Sequence, residues 1–176
     1  TGTLPAIDGS NLTGIAGGLT EADDWRITTD AGGTGTAILT ANWERCHRYG
    51  ESATQLGTGM TESSGIFTFP STGFWRVDYQ FRVNQVGGDI RYNMFHIMVS
   101  VNSGTDFYNV AEGSVAVHDF VGGTEYNSSA ISALIDVTNI STFRVQFSYA
   151  SSAAIVVDGN TNQKETGVAF TKLAER

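Results

Sequence analysis

Cysteine is almost missing from this chain. Cys46 stands alone among 176 residues, so no intramolecular disulfide can staple the fold, and the chain does not rely on an oxidising compartment. Its neighbours Arg45 and His47 are of the kind that lower a thiol pKa, but a single buried structural thiol is the expectation. Proline is nearly as scarce, with 2 residues, which excludes an extended polyproline stalk. Charged residues make up 16% of the chain, against about 25% in an ordinary globular protein. Basic residues are the rarer sign: 10 Lys and Arg against 18 Asp and Glu give a net charge of −8 and a pI near 4.7. Such a surface repels phosphate backbones, so nucleic acid is not an expected partner. No apolar run approaches the ~18 residues that a membrane helix needs, so no membrane insertion is expected. No secretory leader pattern opens the chain, and Thr1 in place of Met implies a processed chain or a fragment of a longer one. Assembly inside a cell followed by release fits this pattern.

What is abundant is Thr, Ser, Asn and Gly, a mixture suited to half-buried strands joined by tight turns. The length allows one core plus a short appendage. Residues 1–23 read as the appendage, because Leu4, Ile7, Leu12 and Ile15 are isolated among turn formers and cannot fold alone. Residues 24–176 read as the head domain. Trp75, Val77, Tyr79, Phe81 and Val83 alternate with Arg76, Asp78, Gln80 and Arg82, the signature of a strand with one buried face. Phe143 to Tyr149 repeats the pattern, as do shorter stretches near Val115, Ile131 and Val168. Glycine clusters at 32–33, 57–59, 87–88, 122–123 and 159 read as turns between short strands. No segment carries a capped helical stripe. The fold class that follows is all-β, two packed antiparallel sheets.

From Arg91 to Val101 both faces are apolar: Phe95, Ile97 and Val99 on one, Tyr92, Met94 and Met98 on the other. Ala130 and Leu134 oppose Ile131 and Ile135 in the same way. An exposed sheet face should be polar, so these two stretches call for a second cover, by another sheet or another subunit.

The block Gly65-Ile66-Phe67-Thr68-Phe69-Pro70-Ser71-Thr72-Gly73-Phe74-Trp75, continued by Val77, Tyr79 and Phe81, resembles a strand entry of the jelly roll shared by complement globular heads and the tumour-necrosis-factor family. Trp25-Arg26-Ile27 is similar to that family's first strand, 128–137 with 142–149 to its late strand pair, and 166–170 to its last strand. The resemblance implies a jelly-roll sandwich and a homotrimer about a three-fold axis, with Tyr92, Met94, Met98, Ala130 and Leu134 as the interface candidates. The segment from Leu4 to Ile15 and the stretch Gly59-Met60-Thr61-Glu62-Ser63-Ser64-Gly65-Ile66-Phe67 resemble marine bacteriophage tail-fibre and virion appendage proteins. That second resemblance implies location on a virion, other virion proteins as partners through the N-terminal arm, and a head that binds a host-surface glycan or protein. A purely structural capsid or tail protein is the alternative.

Heads of this type can hold calcium near their axis, and Asp158-Gly159-Asn160-Thr161-Asn162 opens like a calcium loop. Gln163 stands where the turn glycine would be and Ala169 where the bidentate Glu would be, so a turn without a cofactor is the expectation. His47, His96 and His118 have no metal-ligand spacing, and Gly33-Thr34-Gly35 lacks the lysine and helix of a phosphate cradle and reads as a loop. No nucleophile elbow and no distinct carboxylate pair is present, so binding rather than catalysis is expected. Aromatics in turn-rich stretches remain: Trp43, Tyr49, Phe107, Tyr108, Phe120 and Tyr126. The stretch 105–127, with Phe107, Tyr108, Phe120 and Tyr126, is the expected recognition surface, because aromatic side chains give large contact area at low entropic cost.

Overall fold

The computed structural model describes residues 18–47, 55–86, 88–118 and 123–176. Residues 1–17, which hold most of the expected arm, and the candidates Tyr49 and Phe120 lie outside the described residues. Within them are strands β1 (Ala22–Ile27), β2 (Ala31–Ile38), β3 (Trp43–Arg45), β4 (Gln55–Leu56), β5 (Thr61–Ser63), β6 (Ile66–Thr68), β7 (Gly73–Val86), β8 (Ile90–Ser100), β9 (Tyr108–Val117), β10 (Thr124–Val137), β11 (Arg144–Val157) and β12 (Gly167–Ala174), and no helix.

Pairing arranges them in two antiparallel layers. One runs β3–β1–β12–β7–β10, with β4 also on β1; the other sets β8 and β9 on one edge of β11 and β2 and β6 on its other edge. The ladders join where Val156 and Val157 at the end of β11 pair with Asn84 and Val83 of β7. This is a two-sheet sandwich, as the alternation implied, and a jelly roll, as the resemblance implied.

β7 shows why. Trp75, Val77, Tyr79, Phe81 and Val83 are all buried, and the Tyr79 and Phe81 rings meet Phe95 and Phe147 of the second layer. Phe67 is the hub of the ring cluster, with Trp25, Trp43, Phe147 and Phe170 all within 5.7 Å, centroid to centroid. The Gly65 motif has a steric cause. Gly65 has φ 79° and lies so close to the Leu39 carbonyl that a Cβ would stand 2.2 Å from it, which seats Phe67 in the core.

The expectations for the glycines at 32–35 need correction. Gly32 and Gly33 do not make a turn, and Gly33-Thr34-Gly35 is not a loop: all lie within β2, an edge strand along β11. The glycines serve close approach, since a Cβ on Gly32 would stand 2.1 Å from the Ile155 carbonyl oxygen, beside a bulge between Ser151 and Ile155. The stretch 105–127 combines strands with the connection between them. Most of it is β9 and the start of β10, and Val115 and Val117 of β9 are buried.

Candidate functional site

The outward face of the first layer is built by the alternate residues of β7 and β10. Phe74, Arg76, Asp78, Gln80 and Arg82 point away from the core, and the register sets Leu134 opposite Arg76, Ser132 opposite Asp78 and Ala130 opposite Gln80. Its centre is polar and internally neutral, because Arg76 donates through Nε to Asp78 at 2.9 Å. One end is apolar: Leu134 is 66% exposed, Phe74 is its diagonal neighbour, and Leu173 projects at the β12 bulge opposite Phe74.

The other end carries Tyr126, over whose ring the Arg82 guanidinium sits at 4.4 Å. Arg82 is fixed from the far side by Glu165 at 3.1 Å and Asp158 at 3.3 Å. Burial raises the Asp158 pKa, and the Asn84 amide, which donates to its Oδ1, and the Arg82 charge pull the other way. The Asp158 loop therefore does not fit calcium: its lead carboxylate is held by a guanidinium and an amide, and the Asn160 side chain accepts from Asn162 N and donates to Glu165.

The five interface candidates separate by layer. Ala130 and Leu134 lie on the first layer's outward face; Tyr92, Met94 and Met98 lie on the outward face of β8 in the second layer. The recognition candidates separate by end. Phe107 and Tyr108 sit where the 101–107 and 138–143 loops meet, tied by Ser103 N to Thr142 O at 2.8 Å. Tyr126 lies beside Asn84 near the opposite end of β7. Trp43 is half-buried in the core cluster and donates through Nε1 to the Leu39 carbonyl. Tyr108 and Tyr126 are exposed.

One constellation escaped the sequence reading. His96 on β8 is directly opposite Ser148 on β11 and Glu112 on β9, and its ring bridges them, Nδ1 to Ser148 Oγ at 3.0 Å and Nε2 to Glu112 Oε2 at 3.1 Å. Their positions, 52 residues apart at the widest, gave no motif, and only strand register brings them together. Ser148 is 1% exposed beneath the ring, so this trio orients a cross-strand ladder and offers no open nucleophile. His47 pairs with Glu44 and Arg26, and His118 lies 3.8 Å from Asp89. Cys46 is half-buried, and burial followed by the Asp24 charge pushes its pKa up to about 12.

No family model matches the chain, and none of the curated proteins does. Solved structures do. Eiger TNF from S. frugiperda superposes with a TM-score of 0.60 at 13% identity, covering 90% of this chain and 95% of that one. Murine APRIL superposes at 0.56 in its pH 8.5 structure and 0.58 in its pH 5.0 structure, with 12% identity over 87% of this chain and 98% of those. The chain has a TNF-like jelly-roll fold.

Proposed function

We propose that this chain is a homotrimeric head of a virion appendage or tail fibre, which binds a host-surface glycan or protein and catalyses nothing. The observation that carries the reading is the uncovered apolar end of the β12–β7–β10 face, where Leu134, Phe74 and Leu173 meet solvent in a single copy. A cyclic trimer joins two different patches of the same chain, so candidates on separate layers are compatible with it. The TNF-like fold supports trimeric surface binding in kind, and the fibre-like segment from Leu4 to Ile15 supports the virion setting. Other virion proteins are then the partners of the N-terminal arm. Repeated copies on a particle raise the strength of weak single contacts.

Light scattering on the eluting peak of a sizing column tests the assembly. The expected mass is about three times 18.8 kDa, falling to one copy in Leu134→Arg. A stable monomer at micromolar concentration overturns the reading. Adhesion of labelled trimer to host cells tests the binding half; particles that assemble with the protein yet adsorb without its help would make it a structural component. Deleting 105–127 is not a usable test, because it removes a core strand; Tyr108→Ala and Tyr126→Ala on the exposed surface are.

A further inference from the structure

Beside edge strand β2 lies an open cleft of about 400 Å³. Its floor is Tyr149 of β11, one rim is Asp30, the other is the loop Leu39–Asn42 that leads into β3. A volume near this size is what small organic ligands occupy. The rim is held rigidly. Trp43 Nε1 donates to the Leu39 carbonyl at 2.8 Å, Thr28 N donates to the Asn42 carbonyl at 2.9 Å, and Asn42 itself sits at φ 65°.

Four polar residues line the cleft: Asp30, Thr40 and Asn42, all exposed, and Tyr149. Asp30 spends Oδ1 on Gly159 N at 2.9 Å, which leaves Oδ2 as an acceptor. The Thr40 hydroxyl, the Asn42 amide and the Tyr149 hydroxyl make no hydrogen bond to a described residue. Burial raises the Tyr149 pKa, so the hydroxyl stays protonated and can both donate and accept. Ile38 and Leu39 add an apolar wall.

We propose that this cleft is a subsite for a neutral sugar ring. A pyranose presents a dense set of hydroxyls, each donor and acceptor, to the Asp30 carboxylate, the Tyr149 and Thr40 hydroxyls and the Asn42 amide, and turns its C–H face to Ile38 and Leu39. No Lys, Arg or His lines the cleft, and Asp30 repels anions, so phosphorylated, sulfated and uronic sugars are rejected. The inference deepens the proposed adhesive role by naming its ligand class, and rests on that role for its biological meaning. Single-site binding is weak, and three copies in one head multiply it.

Saturation-transfer NMR on the full chain tests it, with methyl glycosides of glucose, galactose and N-acetylglucosamine, linear neutral oligosaccharides, and glucuronate. Transfer to at least one neutral glycoside and none to glucuronate is expected. Preference for the oligosaccharides over the glycosides marks a polysaccharide as the source. Asp30→Asn and Tyr149→Phe should each weaken binding roughly tenfold, with unchanged melting as the check on folding. Ala41→Trp, on the exposed rim, should block the cleft without touching the core. No transfer to any neutral sugar, or binding unaltered in all three variants, overturns the proposal. Cell adhesion retained in those variants sinks the subsite and leaves the adhesive role standing; sugar binding without adhesion does the reverse.

Discussion

The rings of Phe81 and Phe95 stack face to face across the sandwich, 3.4 Å apart at their centroids and 13° from parallel. One ring comes from β7 and the other from β8, so this contact ties the two layers directly. Both side chains are fully buried. Phe95→Ala should cost about 3 to 5 kcal/mol, the range for emptying a phenylalanine site in a packed core. Urea unfolding of the variant measures it; a cost below about 1 kcal/mol would mean that the stack does not join the layers.

Gly113 of β9 sits opposite Phe95, and a Cβ there would stand 2.4 Å from Ile131 Cγ2 of β10. The missing side chain is what lets β10 close over β9. Gly113→Ala forces Ile131 aside and should destabilise by about 1 to 3 kcal/mol, although alanine is ordinarily the better strand residue. A more stable Gly113→Ala protein by thermal melting would refute this packing.

Tyr79 carries a buried hydroxyl with no hydrogen-bond partner among the described residues, and burial raises its pKa strongly. An unsatisfied buried hydroxyl costs on the order of 1 to 3 kcal/mol. Tyr79→Phe removes the oxygen and leaves the ring, so it should raise stability by about 1 kcal/mol. A loss of similar size, seen in urea unfolding, would reveal a partner for that hydroxyl.

Cys46 should be a slow thiol. With its pKa pushed up to about 12, its thiolate fraction at pH 8 is small. Iodoacetamide labelling of the folded protein, followed by mass spectrometry, should run at least about tenfold slower than labelling in guanidinium. Equal rates would contradict the half-buried setting.

Glu44 predicts a pH dependence. Burial pushes its pKa up, but hydrogen bonds from Arg26 and Thr161 and the charges of Arg26 and His47 outweigh it, so the net shift is downward. The folded protein thus holds this proton less readily than the unfolded chain. The stabilisation is complete above the unfolded pKa and is lost as pH falls through the lowered folded value. Glu44→Gln should cost no more than about 1 kcal/mol at neutral pH, and the gap to the parent should close as the pH falls through the lowered folded value. A gap that widens on acidification would reverse the sign.

The alternation in β7 was readable because a strand with one dry face must repeat every second residue; register was not, because pairing is decided by residues far apart in the chain. That is why Trp75 to Val83 could be assigned to the core at once, while the meeting of His96 with Ser148 and Glu112 could not. Apolar residues on both faces of 91–101 were visible, yet which faces meet solvent was not. Tyr92 and Leu134 turn out to be exposed on different layers. Glycine misled at 32–35 for a related reason. A glycine that opens a turn and a glycine that admits a neighbouring carbonyl look the same until the neighbour, Ile155, is in place.

The sequence by itself determined an all-β chain with period-two apolar faces, no intramolecular disulfide and an acidic, charge-poor composition, because these follow from residue type and local period. Only the tertiary structure decided which strands pair, which apolar side chains remain uncovered, and where Asp30, Asn42 and Tyr149 come together. Those facts depend on long-range packing, and no local pattern carries them.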